Sequence, residues 1–180
     1  MSDRDTYLQL YKEGPFRLRQ LLASIPEEAM IYQPGPDRWS IQEIAIHAVD
    51  ADLNGYLRFR KTVAEPGATI PVYDETVWGL RLDYMNTDLD TALNLMDTYR
   101  KYLLDFLNKR KEEDWDKYVI HPEVGKMTLD IVLKTYALHL FGHIKHIERT
   151  FNAWKRFQIG QTIDISKSFW EPITDKDIVI

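Results

Sequence analysis

Hydrophobic positions recur along most of the chain with a period near 3.6 residues, and clusters of polar or helix-breaking residues separate the runs. The first run, from about Asp3 to Ser24, places Tyr7, Leu8, Tyr11, Phe16, Leu18, Leu21 and Leu22 at broken helical spacing. Gly14-Pro15 lies in its middle and predicts a kink or a division, because proline lacks an N–H and crowds the preceding turn. Pro26 ends the run, and Pro34-Gly35-Pro36-Asp37 marks the loop that follows. Ser40 and Glu43 have the S-x-x-E spacing of a capping box, in which each side chain serves the other's backbone donor. Behind it Ile41, Ile44, Ala45, Ala48, Asp52 and Gly55 form one stripe, with His47 at its edge and Trp39 placed to staple against Ile44.

The pattern weakens from Lys61 to Asn86, where Pro66-Gly67 and Pro71 predict a long loop with a short helical turn near Trp78. Thr87 with Asp90 has the spacing of a second, weaker capping box. A strong helix then carries Leu89, Leu93, Met96, Tyr99, Leu103, Phe106 and Leu107 to about Arg110. The charged run Lys109 to Asp116 reads as its frayed end, and Pro122 and Gly125 as a connection. The last long helix runs from Thr128 to about Trp154, with Val132, Thr135, Tyr136, His139, Gly142, His143, His146 and Thr150 on one face. No segment shows convincing strand alternation, so the expected fold is all-α, four principal helices in a bundle.

At 180 residues, 44% hydrophobic and 28% charged, the chain is of a size and composition for one globular domain. Its 23 Lys+Arg against 28 Asp+Glu give a formal charge of -5, which leaves no basic excess for a phosphate backbone; a nucleic-acid partner is not expected. The absence of cysteine excludes disulfides, thiolate metal clusters and a thiol nucleophile. The charged start Met1-Ser2-Asp3-Arg4-Asp5 lacks a signal peptide's apolar core, and no stretch approaches the roughly 20 apolar residues of a membrane span. The expected location is the cytoplasm, away from membranes.

Three of the five histidines fall in one helix, as His139-x-x-x-His143-x-x-His146. Residues four apart stand one above the other, so His139 and His143 can aim their imidazoles at one atom. A third ligand must come from elsewhere; His47 is the best donor, and His121, in a predicted loop before Pro122, has weaker support. Three neutral imidazoles with water in a remaining position suit a catalytic divalent metal, although the glutamate of an H-E-x-x-H motif is missing. Each histidine alone also fits a hydrogen-bonded place at a helix packing edge. His146 lies too far along the axis from His139 for easy joint ligation and reads as a pocket-wall or proton-handling group. Asp52 sits on an apolar stripe, where an unpaired carboxylate is costly; it either orients a histidine and lines the pocket or pairs with an arginine such as Arg17 or Arg19.

The segment Trp39-Ser40-Ile41-Gln42-Glu43-Ile44-Ala45-Ile46-His47-Ala48-Val49-Asp50 resembles the second-helix motif of the DinB/YfiT-like superfamily. The His139-x-x-x-His143-x-x-His146 segment resembles that family's last-helix motif, and the correspondence covers about residues 5–155. The resemblance implies a four-helix bundle over residues 1–155; residues 156–180, outside the shared core, lose helical periodicity yet keep apolar Ile163, Phe169 and Trp170, and are expected as a non-helical or weakly structured extension packed on the bundle or on a dimer partner. It implies a homodimer and a divalent transition metal, zinc or nickel, held by His47, His139 and His143; His146, which matches the family motif, and Asp52, from its place on the stripe alone, are the catalytic candidates. The implied activity is metal-dependent hydrolysis of an unknown small molecule. The alternatives are S-transfer dependent on a low-molecular-weight thiol, for which Arg17, Arg58 and Arg81 are candidate clamp residues, and a non-catalytic metal-binding bundle.

Overall fold

The computed structural model describes residues 2–161; the expected extension falls almost wholly outside them. Four long helices form the bundle: α1 (Asp3–Ala23), α3 (Ile41–Ala64), α5 (Leu89–Asn108) and α7 (Leu129–Gln158), the last running a few residues past its expected end. Short helices α2 (Glu27–Met30), α4 (Glu75–Arg81) and α6 (Glu112–Trp115) sit in the connections. The helix α7 packs on both α1 and α3, and α5 packs on the same two, so the order around the bundle is α1, α7, α3, α5. None of these helices is long and apolar enough to cross a membrane.

The capping box at Ser40 forms as expected: the Glu43 N–H donates to Ser40 Oγ, and the Ser40 N–H donates to Glu43 at 2.8 Å. A second box, Ser2 with Asp5, starts α1. The expected cap at Thr87 is instead Asp88, whose carboxylate accepts from the Thr91 N–H at 2.6 Å, while Thr87 Oγ1 donates to the Asp83 carbonyl. The expected helical turn at Trp78 is α4.

Helix α1 runs through Gly14-Pro15 without division. Proline at position 15 deprives the Tyr11 carbonyl of its usual donor four residues on. Arg100 of α5 supplies one instead, its Nη1 donating to that oxygen at 2.7 Å. Gly14 makes the approach possible: a Cβ there would lie 2.9 Å from Arg100 Nη1 and 2.7 Å from Leu140 Cδ2. The same guanidinium is held in a two-pronged pair by Asp52, through Nε to Oδ2 and through Nη2 to Oδ1 at 2.9 Å. Both side chains are buried, so the arginine that neutralises Asp52 is Arg100; Arg17 pairs with Glu13 and Arg19 with Asp97.

One feature departs from the helical expectation. Residues 118–128 form an antiparallel hairpin, β1 (Tyr118–His121) with β2 (Gly125–Thr128), and Ile120 pairs with the strand-like segment around Thr69. The strands are four residues long and turn mainly Val119 and Met127 fully inward, too few positions for alternation to register in the sequence. The hairpin tucks against α3 and α7 and carries His121 to the mouth of the cavity described next.

Candidate metal centre

The stripe Ile41, Ile44, Ala45, Ala48, Asp52 and Gly55 is buried throughout, which fixes the rotation of α3 and carries His47 inward with it. On α7 the helical repeat stacks His139 and His143, whose Nε2 atoms are 3.2 Å apart. One nitrogen from each of His47, His139 and His143 lies within 4.8 Å of the others. Two nitrogens bound to one tetrahedral ion at about 2.0–2.1 Å stand about 3.3 Å apart, so the α7 pair already has a chelating separation.

His47 and His143 are buried, and His139 is partly open. His47 Nδ1 has no hydrogen-bond partner among the described residues. A buried polar nitrogen left unpaired is costly, and such atoms in a folded protein tend to mark functional sites. Burial, followed by His139 and His146, pushes the His47 imidazole down to about 3. His139 is pushed to about 4, chiefly by burial, against the opposing field of Asp52. His143 is driven well below the ordinary histidine value by burial and then by its neighbours. All three rings are therefore neutral near pH 7, the state in which imidazole ligates a metal. The cluster can coordinate a divalent metal.

The other candidates take different places. His146 is not part of the cluster; its ring stacks 6.4 Å from that of His143, and it lines the same cavity with a pKa lowered to about 4 by burial, Arg149 and Arg38. Asp52 is bound to Arg100 and does not line the cavity. His121 lines the cavity too, though outside the cluster, and its Nδ1 accepts from the Glu123 N–H. Trp39 lies with its ring 4.8 Å from that of His47, while also packing on the core patch that holds Ile44.

The three histidines open on a cavity of about 790 Å³. A second lobe of about 510 Å³ adjoins it, sharing Glu75, His121, Glu123 and His139. These volumes lie within the range of small-molecule sites. Tyr136, which walls the smaller lobe, rests against Gly55, where a Cβ would come within 2.5 Å of its ring. Of the wall residues, Glu75 and Glu123 gave no signal in the sequence, because they reach the cavity from α4 and the hairpin turn.

The family model of the DinB superfamily matches residues 10–147. The chain belongs to the DinB superfamily. A Bacillus cereus (strain G9842) protein, whose name classes it provisionally as a metal-dependent hydrolase, is 27% identical over 143 residues, which span 79% of this chain and 82% of that one. Among solved structures, YfiT from Bacillus subtilis, described as a probable metal-dependent hydrolase with an unusual four-helix bundle topology, aligns with a TM-score of 0.77 at 22% identity. That alignment covers 90% of this chain and 91% of YfiT. A mycothiol-dependent maleylpyruvate isomerase aligns at 0.61 and 12% identity, over 79% of this chain and 59% of that one. Within the DinB superfamily, then, the four-helix core of this chain has the fold of YfiT.

Proposed function

We propose that this DinB-superfamily protein is a metal-dependent hydrolase of a small molecule. The observation that carries the reading is the neutral, mostly buried histidine cluster opening on a cavity of about 790 Å³. His47, His139 and His143 would hold the ion, and three neutral nitrogen donors favour zinc or nickel over harder, oxygen-seeking ions. Bound there, such an ion supplies Lewis acidity and lowers the pKa of a coordinated water. His146, neutral and on the same wall, accepts a proton from, or donates its N–H to, a substrate seated in the cavity. Asp52 acts at one remove, by fixing the rotation of α3 through Arg100. The provisional name of the Bacillus cereus relative supports hydrolysis, and a cytoplasmic homodimer belongs to the same reading.

The test begins with elemental analysis of native protein and of the His47→Ala, His139→Ala and His143→Ala variants. One ion per chain in the native protein and a loss of it in each variant is the expected result. Metal-loaded protein is then incubated with ester, amide and electrophilic substrates, with and without low-molecular-weight thiols, and the products are identified by mass. A product carrying the oxygen of water, formed without thiol and absent in His139→Ala, supports hydrolysis. A sulfur adduct formed only with thiol present would replace it with S-transfer; the isomerase of similar fold is itself mycothiol-dependent. Light scattering that gives a monomer mass at every concentration would remove the homodimer.

A further inference from the structure

The smaller lobe of the cavity carries charges of both signs that do not meet. Arg58, half-buried on α3, has its guanidinium 5.9 Å from the centre of the Tyr136 ring. It also donates to the Pro71 carbonyl at 3.4 Å. A guanidinium has five N–H donors, so several remain for a ligand. Facing the same lobe are two exposed carboxylates, Glu75 at the start of α4 and Glu123 in the turn between β1 and β2. None of the ion pairs among the described residues involves Arg58, Glu75 or Glu123. The third acid of the lobe, Asp74, is engaged as the cap of α4 and accepts from the Val77 N–H at 3.0 Å.

Exposed side chains of opposite charge gain little by pairing, so those at one cavity remain available to a ligand when their backbones are set apart. Here three separate elements hold them apart, across a lobe of about 510 Å³. A purely anionic ligand would be repelled by Glu75 and Glu123, and a purely cationic one by Arg58. A ligand with both charges satisfies both walls. We propose that this lobe binds a small zwitterion, its carboxylate on the planar fork of Arg58 and its ammonium group between Glu75 and Glu123. Planar two-pronged recognition of a carboxylate is the particular strength of arginine. The lobe meets the histidine cluster at His139, so the ligand's backbone would point toward the proposed metal. The inference rests on the proposed function for its place in a reaction, but its binding residues are not the metal ligands.

The test is calorimetric binding to the metal-loaded, full-length protein, with unbranched ω-amino carboxylates of increasing length as probes. Alkylamines and alkanoates of matching length are the controls. An optimum length should emerge, with affinity about ten-fold or more above either control, the scale of one charge-assisted hydrogen-bonded contact. Arg58→Gln should reduce the best zwitterion to the level of its matching amine while leaving metal content at the native value. Glu75→Gln combined with Glu123→Gln should reduce it to the level of the alkanoate. If Arg58→Gln does not fold, Arg58→Lys serves, with a smaller loss expected because the fork is gone and the charge remains. Zwitterion binding that survives in metal-free His143→Ala separates this inference from the metal reading. Equal binding of zwitterion, amine and alkanoate, or unchanged affinity in the arginine variant, would overturn the proposal and leave the metal reading standing.

Discussion

Two buried polar groups sit within two turns of each other along α3, and they differ in how the described residues complete them. Asp52 meets Arg100, and the remaining donors of that guanidinium reach the carbonyls of Tyr11 at 2.7 Å and Tyr136 at 3.4 Å. Burial opposes the charge of Arg100, yet Asp52 and the adjoining phenols outweigh it and the guanidinium pKa is raised. Five residues earlier, His47 sets a ring nitrogen within 4.8 Å of one from each of two further imidazoles, and its buried Nδ1 has no hydrogen-bond partner among the described residues. The first group ties α3 to α1, α5 and α7. The second lies beside a cavity and gathers three neutral nitrogen donors of the kind a divalent metal takes. Buried polarity that is closed on itself specifies the fold, and buried polarity left incomplete marks the site.

Removing one member of the closed group should have the largest effect. Asp52→Ala leaves an uncompensated guanidinium in the core, and Arg100→Ala leaves the carboxylate and the Tyr11 carbonyl without donors. A loss of about 3–5 kcal/mol is expected for each in urea unfolding. The double replacement Asp52→Leu with Arg100→Met, which refills the volume with apolar atoms, should recover much of that loss. A single-variant loss below about 1 kcal/mol would mean that the pair does not organise the core.

The open group should behave in the opposite way: its contribution appears only with metal. At a free metal concentration a hundred times the dissociation constant, binding adds about 2.7 kcal/mol of stability. A chelator should therefore lower the melting temperature of native protein. It should do nothing to His143→Ala, whose own stability should stay close to that of the chelated native protein. An equal chelator response in the two proteins would place the ion elsewhere.

What the sequence disclosed divides along the same line. The Ser40–Glu43 box and the His139–His143 pair are legible because both obey short-range helical spacing, a matter of three or four residues. His47 was legible as a histidine bordering an apolar stripe. The Asp52–Arg100 pair was half legible: a carboxylate at a core position demands a cation, but its partner lies 48 residues away on a helix whose rotation short-range rules do not give. A signal did exist, since Arg100 falls in the stripe Leu93, Met96, Arg100, Leu103 and Leu107, a charge at a core position complementary to that of Asp52. Glu75, His121 and Glu123 reach the cavity from a short helix and a hairpin. Their placement depends on how those connections fold back over α3 and α7, which periodicity does not encode.

The smallest predicted effect sharpens the comparison through pH. His146 has a folded-state pKa near 4, lowered by burial and by Arg149 and Arg38, against an ordinary value of 6.5 in the unfolded chain. Between those two values the unfolded chain binds more protons at this ring than the folded one. The ring's contribution is therefore fully present above pH 6.5 and is lost as the pH falls from there toward 4. From pH 7.5 to pH 6 the loss attributable to one such histidine is under about 1 kcal/mol. In chelated protein His146→Gln should flatten the dependence of unfolding free energy on pH by that amount over that interval. The Asp52→Leu, Arg100→Met protein should keep the native slope, because the guanidinium it removes does not titrate in this range. If instead the slope were unchanged in His146→Gln and altered in the double variant, the pH sensitivity of the fold would reside in the closed group and not beside the open one.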